Sequence, residues 1–206
     1  MTPSDNRRWA LVGPLTVALW IVGLALLTHQ QPGEHASGSE ILAWYRAHTD
    51  SILLGGWLFM IGCLGFVVFV AGVGRRLAAP VLALAGAAIA TVSGMLVAAV
   101  DVAGGLDKND ITPATAATFH HAVDIFFITA ELTAVLPLAV VAVLAWRTRA
   151  LPRWWAAFSG LVAVVLIIGP VGWIGLIFGV PIWTLGTSLF VLLGSRARMR
   201  TAAAAA

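Results

Sequence analysis

Long apolar runs separated by short polar ones dominate the chain. Six runs reach the 18 or more residues that mark a membrane-crossing helix, at about 9–28, 52–74, 80–103, 117–146, 154–171 and 174–194. The predicted fold class is all-α: one polytopic transmembrane bundle of six helices, occupying residues 1–200 as a single domain. The first run is longer than the 7–15 apolar residues of a signal-peptide core, and the stretch after it (THQQPGEH) offers no A-x-A cleavage pattern. It is expected to be a retained helix. The closing TAAAAA (201–206) has no structural logic and is read as an appended tail.

The connections carry their own signals. The first and longest contains Ser37-Gly-Ser-Glu40, the spacing of a capping box. This predicts a short helix over 39–49, with Ile41, Leu42, Trp44 and Tyr45 apolar, that lies on the outer interface or covers the bundle mouth. The loop GGLDKNDITP (104–113) is polar and acidic, and ends in a helix start at Thr112-Pro113 or Thr115. Only GPVGW separates the last two spans, which predicts a tight antiparallel hairpin. Small residues recur every fourth position in the third span (Gly86, Ala90, Gly94, Ala98) and less regularly in the second (Gly55, Gly62, Gly65, Gly72). Such residues let helix backbones approach closely. Pro137 predicts a kink in the fourth span.

Composition agrees with the pattern: 60% of residues are hydrophobic and 10% charged, against about 25% charged in soluble domains. The single cysteine, Cys63, excludes a disulfide within the chain. A pI near 10 raises the question of nucleic acid, and the charge distribution answers it. Arg7, Arg8, Arg75, Arg76, Arg147, Arg149, Arg153, Arg196, Arg198 and Arg200 flank the spans on alternate sides, leaving only Arg46 and Lys108 in the other loops. That is the positive-inside pattern of a multi-pass plasma-membrane protein with both termini cytoplasmic. No nucleic-acid partner is expected. Of the nine acids only Asp5 falls on the cytoplasmic side, and all five histidines fall on the other half.

The segment TFHHAVDIFFITAEL (118–132) concentrates the candidate chemistry. At 100° per residue His120, Asp124, Phe127 and Glu131 share an arc of about 60° on one helix face. Asp101, near the outer end of the adjacent third span, is expected to meet His120, His121 or Asp124, with Asp50 close by. Ionisable groups inside a membrane are costly and usually functional. An apolar surrounding favours the neutral carboxyl of Glu131, and a neutral carboxyl is a proton donor. His120, His121, Asp124 and Asp101 are the nearest approach to a metal set, but no H-E-x-x-H or cysteine pattern accompanies them, so no metal and no cofactor are expected. Haem between helices would want histidines on two spans, and only the fourth carries them.

At LPRWWAAFSGLVAVV (151–165), and in the first outer loop PGEHASGSEILAWYRAH, the chain resembles a broad group of six-helix integral membrane proteins of actinobacteria. The resemblance implies the six-helix topology and no particular activity.

The expected function is that of a small membrane enzyme, isomerase or terpene cyclase-like, acting by acid–base catalysis on a lipophilic, isoprenoid-type molecule. Glu131, Asp124, His120 and Asp101 are the candidate catalytic groups, and Phe127, Trp57, Phe126, Trp183, His121 and Asp50 the candidate pocket. The expected partners are that molecule and membrane lipid, with self-association left open. Two alternatives stand beside it: a proton-coupled transporter or channel using the same carboxylates, and an assembly subunit of a membrane complex.

Overall fold

The computed structural model describes residues 3–77 and 80–204, and every regular element among them is helical. The elements are α1 (Pro3–Leu27), α2 (Gly38–Arg76), α3 (Pro80–Leu106), α4 (Pro113–Thr148), α5 (Arg153–Ile167), α6 (Gly169–Ile174) and α7 (Val180–Ala204), the last two joined by a π-helical turn at Gly175–Gly179. Five helical stretches are long and apolar enough to cross a membrane, while α5 is shorter. Their outward faces stay apolar, with Leu11, Leu15, Val81, Leu132 and Leu161 exposed. Exposed apolar surface on this scale suits hydrocarbon rather than water, which marks a multi-pass membrane protein.

Successive helices α1 to α5 pack as neighbours, α2 also touches α4, and α7 returns to α1. Two ends can be told apart. The arginine end carries Arg75 and Arg153, each stacked over a tryptophan, Trp9 at 5.4 Å and Trp146 at 5.7 Å. The acidic end carries the 28–37 and 107–112 connections.

Glycines set the α1–α2 approach. A Cβ at Gly55 would sit 2.7 Å from the Gly23 carbonyl oxygen, and Gly62, Gly65 and Gly72 face Trp20, Thr16 and Trp9. The small residues of α3 are divided: Gly86 packs on Pro137 of α4, and Gly94 faces Cys63 of α2. At the arginine end α7 closes onto α1, where Gly13 leaves room for Ser188. The α5–α7 contact is polar and buried. Trp183 donates to Ser159 Oγ at 2.8 Å, and Trp155 donates to Thr187 Oγ1 at 3.0 Å.

Three features differ from the sequence reading. The 39–49 helix is not separate: it forms the first part of α2, merged across a kink at His48 (φ −119°, ψ 18°). Its capping box is present, with Ser37 N–H donating to Glu40 Oε2 and Glu40 N–H donating to Ser37 Oγ. α4 runs unbroken through Pro137. The hairpin between the last two membrane segments turns at Ile168 (φ −85°, ψ 91°), and GPVGW belongs to the helix that follows.

Candidate functional site

The groups expected to form one site are spread over three places. The first is the acidic end, where the opening turns of α2 fold over the bundle as a cover. Ile41, Leu42, Trp44 and Tyr45 are all buried, packed with Leu27 of α1, Ala98 of α3 and Ala116 of α4. Polar ties hold the cover in place: Trp44 Nε1 donates to the His29 carbonyl (2.9 Å), Arg46 Nε to the Lys108 carbonyl (3.1 Å), and Lys108 Nζ to Thr49 Oγ1 (2.8 Å). Beneath it Asp101 is 1% exposed and accepts from the Tyr45 hydroxyl at 3.0 Å. Gly104 makes this possible, since a Cβ there would be 2.5 Å from the Tyr45 ring. Tyr45 was missed as a partner because the pair is 56 residues apart in sequence.

On α4, His120 is buried and its Nδ1 has no hydrogen-bond partner, while His121 and Asp124 are exposed. Asp50 is exposed on the far side of the kink. The face predicted to be one inward stripe is therefore split. The buried face of α4 runs through Ala116, His120, Val123, Ala130, Glu131 and Ala134, and its centre lies about 40° from the predicted stripe, leaving Asp124 beyond its edge. Among the described residues no group of three or more His, Cys, Asp or Glu side chains is placed to hold a metal ion.

The second place is an apolar cavity of about 560 Å³ in the middle of the bundle, within the size range of small-molecule pockets. Trp20, Phe59, Phe66, Phe127 and Phe178 supply aromatic walls, and Ala90, Gly94, Ala130 and Ala134 leave the space open. Ile21 on α1, Phe178 in the π turn and Ile182 beyond it line the cavity and are also exposed. The cavity thus opens sideways, between α1 and the last helix, through a gate of apolar side chains.

The π turn shapes that gate. Pro181 has no N–H, so one helical hydrogen bond is absent, and the Val180 N–H bonds instead to the Gly175 carbonyl five residues back. Gly175 and Gly179 press on Leu166 and Val162 of α5, which turns Leu176, Ile177 and Phe178 toward the cavity.

Of the predicted pocket residues only Phe127 lines this cavity. Trp57 is 60% exposed on the outer surface of α2, Trp183 is buried in its bond to Ser159, and Phe126 is half-buried outside the lining. The signal that finds the cavity is different: small residues of α3 and α4 facing a ring of aromatics.

The third place belongs to Glu131. It is 5% exposed as a residue, although its carboxyl oxygens are not fully enclosed. Its neighbour in sequence, Ala130, lines the cavity, but its carboxyl group lies against Gly172 of α6. No protein-family model matches the chain, and neither curated proteins nor solved structures gave a match.

Proposed function

We propose that this chain takes a lipophilic molecule from the bilayer into the cavity between α1 and the last helix. One observation carries the reading: a cavity of about 560 Å³ whose walls are apolar and whose mouth lies among exposed apolar side chains. A water-soluble ligand has no route through such a gate, while a chain already dissolved in hydrocarbon enters with little desolvation. The arginine distribution supports a plasma-membrane protein with its termini in the cytoplasm. The cavity lining follows α1 and reaches Thr28 just past its end, on the side that carries the acidic loops.

A second reading, acid catalysis on the bound molecule, is favoured by one further observation. Glu131 is a buried carboxylic acid one residue from the cavity wall. Asp101 is committed to Tyr45, and Asp124 is exposed. Glu131 is therefore the group on which that reading depends, with an isoprenoid-type alkene or epoxide as the chemistry it would protonate.

The test is mass spectrometry of lipophilic molecules that co-purify with the protein and with Ala134→Trp, which fills the cavity. A defined species retained by the first and lost from the second supports binding there. Equal, non-selective phospholipid in both would overturn it. Glu131→Gln decides the second reading: an unreacted species must accumulate in that variant, and an unchanged profile removes catalysis.

A further inference from the structure

We propose that Glu131 and the backbone carbonyl of Leu166 form a proton-binding site inside the bundle, in which the carboxyl O–H donates to the carbonyl and ties α4 to the break between α5 and α6. Two groups that hydrocarbon does not tolerate unpaired converge here. In a continuous helix the Leu166 carbonyl would take the N–H of residue 170, but residue 170 is proline. The chain turns instead at Ile168, whose N–H goes to the Val165 carbonyl, and the Val171 N–H goes to the Ile168 carbonyl. The Leu166 oxygen is left without a donor. Glu131 is the other group: 5% exposed as a residue, it sends Oε2 across from α4 to Gly172.

Gly172 brings them together. A Cβ placed on that residue would lie 2.5 Å from Glu131 Oε2 and 3.2 Å from the Leu166 carbonyl oxygen. Both oxygens thus border the one spot that glycine leaves open, within reach of each other by rotation of the glutamate side chain. Two such oxygens brought together in an apolar surrounding repel unless something positive lies between them. A proton needs just one donor oxygen and one acceptor oxygen, which is the set present. A sodium ion asks for several more oxygen ligands than these two.

No other titratable group competes for the role. α5 carries only Arg153, at its opposite end, while α6, the π turn and α7 as far as Leu193 carry none. On α4 the nearest are Asp124 and Arg147, respectively seven residues before and sixteen after Glu131. Asp101 on α3 is paired with Tyr45; the ionisable groups of α2 lie toward its two ends apart from Cys63, which lines the cavity.

The location gives the proton a consequence. The segment held by this bond, Gly169–Ile174, leads directly into the π turn whose Phe178 is part of the cavity gate. Loss of the proton leaves a carboxylate facing a carbonyl, which separates α4 from α6 and moves the gate. The proton site itself stands whether or not the cavity binds a ligand.

The experiment uses the full chain in lipid nanodiscs. A lipophilic carbodiimide reacts with a protonated carboxyl to give a stable acylurea, and peptide mass spectrometry locates it. Labelling at Glu131 is expected to fade as pH rises, to be unaffected by sodium, and to be matched by an infrared carboxyl band that Glu131→Gln lacks. Gly172→Ala, which pushes the carboxyl away from the carbonyl while leaving both groups chemically intact, is expected to shift the pH at which the band disappears. Absence of both label and band in folded protein overturns the proposal, as does protection by sodium, which would make this a sodium site. A Gly172→Ala titration identical to the parent removes the Leu166 carbonyl from it.

Discussion

Replacing Gly55 with alanine tests whether α1 and α2 are held at backbone contact. A Cβ at Gly55 would lie 2.7 Å from both the Gly23 carbonyl oxygen and the Leu27 nitrogen, and one at Gly23 would lie 2.6 Å from the Phe59 nitrogen. Comfortable contacts fall near 3.5–4.0 Å, so each alanine is about 1 Å too close. The obstructing atoms are backbone, which cannot swing aside, and the helices themselves must separate. Overpacking of this kind costs about 1–3 kcal/mol. Working against it, alanine gains about 0.8–1 kcal/mol of helix propensity over glycine. Gly160 isolates that second effect, because a Cβ there meets only Ala142, at an ordinary 3.9 Å. In reversible unfolding from mixed micelles, Gly160→Ala should stabilise the protein, and Gly55→Ala should fall about 1–3 kcal/mol below it. The double variant Gly23→Ala/Gly55→Ala should lose less than the sum of the single losses, since one displacement relieves both clashes. Coincidence of Gly55→Ala with Gly160→Ala would refute the close-contact reasoning.

Tyr45→Phe leaves the buried Asp101 carboxyl without its donor and should cost about 1–3 kcal/mol in the same unfolding assay. Trp183→Phe keeps most of the ring contact with Phe69 but removes the bond to Ser159; the expected loss is about 1 kcal/mol plus the volume change, and a silent variant would contradict the buried polar tie. Ser37→Ala removes the acceptor for the Glu40 amide and should cost about 0.5–2 kcal/mol, with faster hydrogen exchange confined to the first turns of α2. Ala130→Leu projects into the cavity and should lower retention of a co-purifying lipophile without loss of stability; unchanged retention would place the ligand elsewhere.

The membrane-spanning pattern was legible because hydropathy responds to the solvent around a helix, and hydrocarbon leaves a long, unambiguous run. The exception is instructive. The 39–49 segment is polar enough to read as a loop helix, and only its packing against Leu27, Ala98 and Ala116 makes it the start of α2. Nothing local reports such contacts. The candidate site was less legible for a geometric reason. A stripe drawn through charged residues takes its direction from the charges, whereas the buried face takes its direction from the small and apolar residues of the helix. On α4 the two differ by about 40°, enough to keep His120 inside and put Asp124 out.

The cavity shows a deeper limit of spacing arguments. Gly55 on α2 and Gly94 on α3 carry the same small-residue signal, yet Gly55 meets backbone while Gly94 meets only Cys63 and borders open space. A small residue becomes a contact when the facing position can move closer, and a void when something holds the helices apart. Here the aromatic side chains Trp20, Phe66 and Phe127 stand around the small positions of α3 and α4, and the break at Ile168 with the π turn before Pro181 sets the path of the last helix. α7 meets α1 at Gly13, toward the arginine end, and exposed cavity residues mark the opening beyond it. The void therefore follows from three separate parts of the sequence acting together. Filling Ala130 or Ala134 with a larger apolar side chain should close it at little cost to the fold; loss of a defined bound lipophile marks space kept for a ligand, and a gain in stability with bound lipid unchanged marks a packing defect.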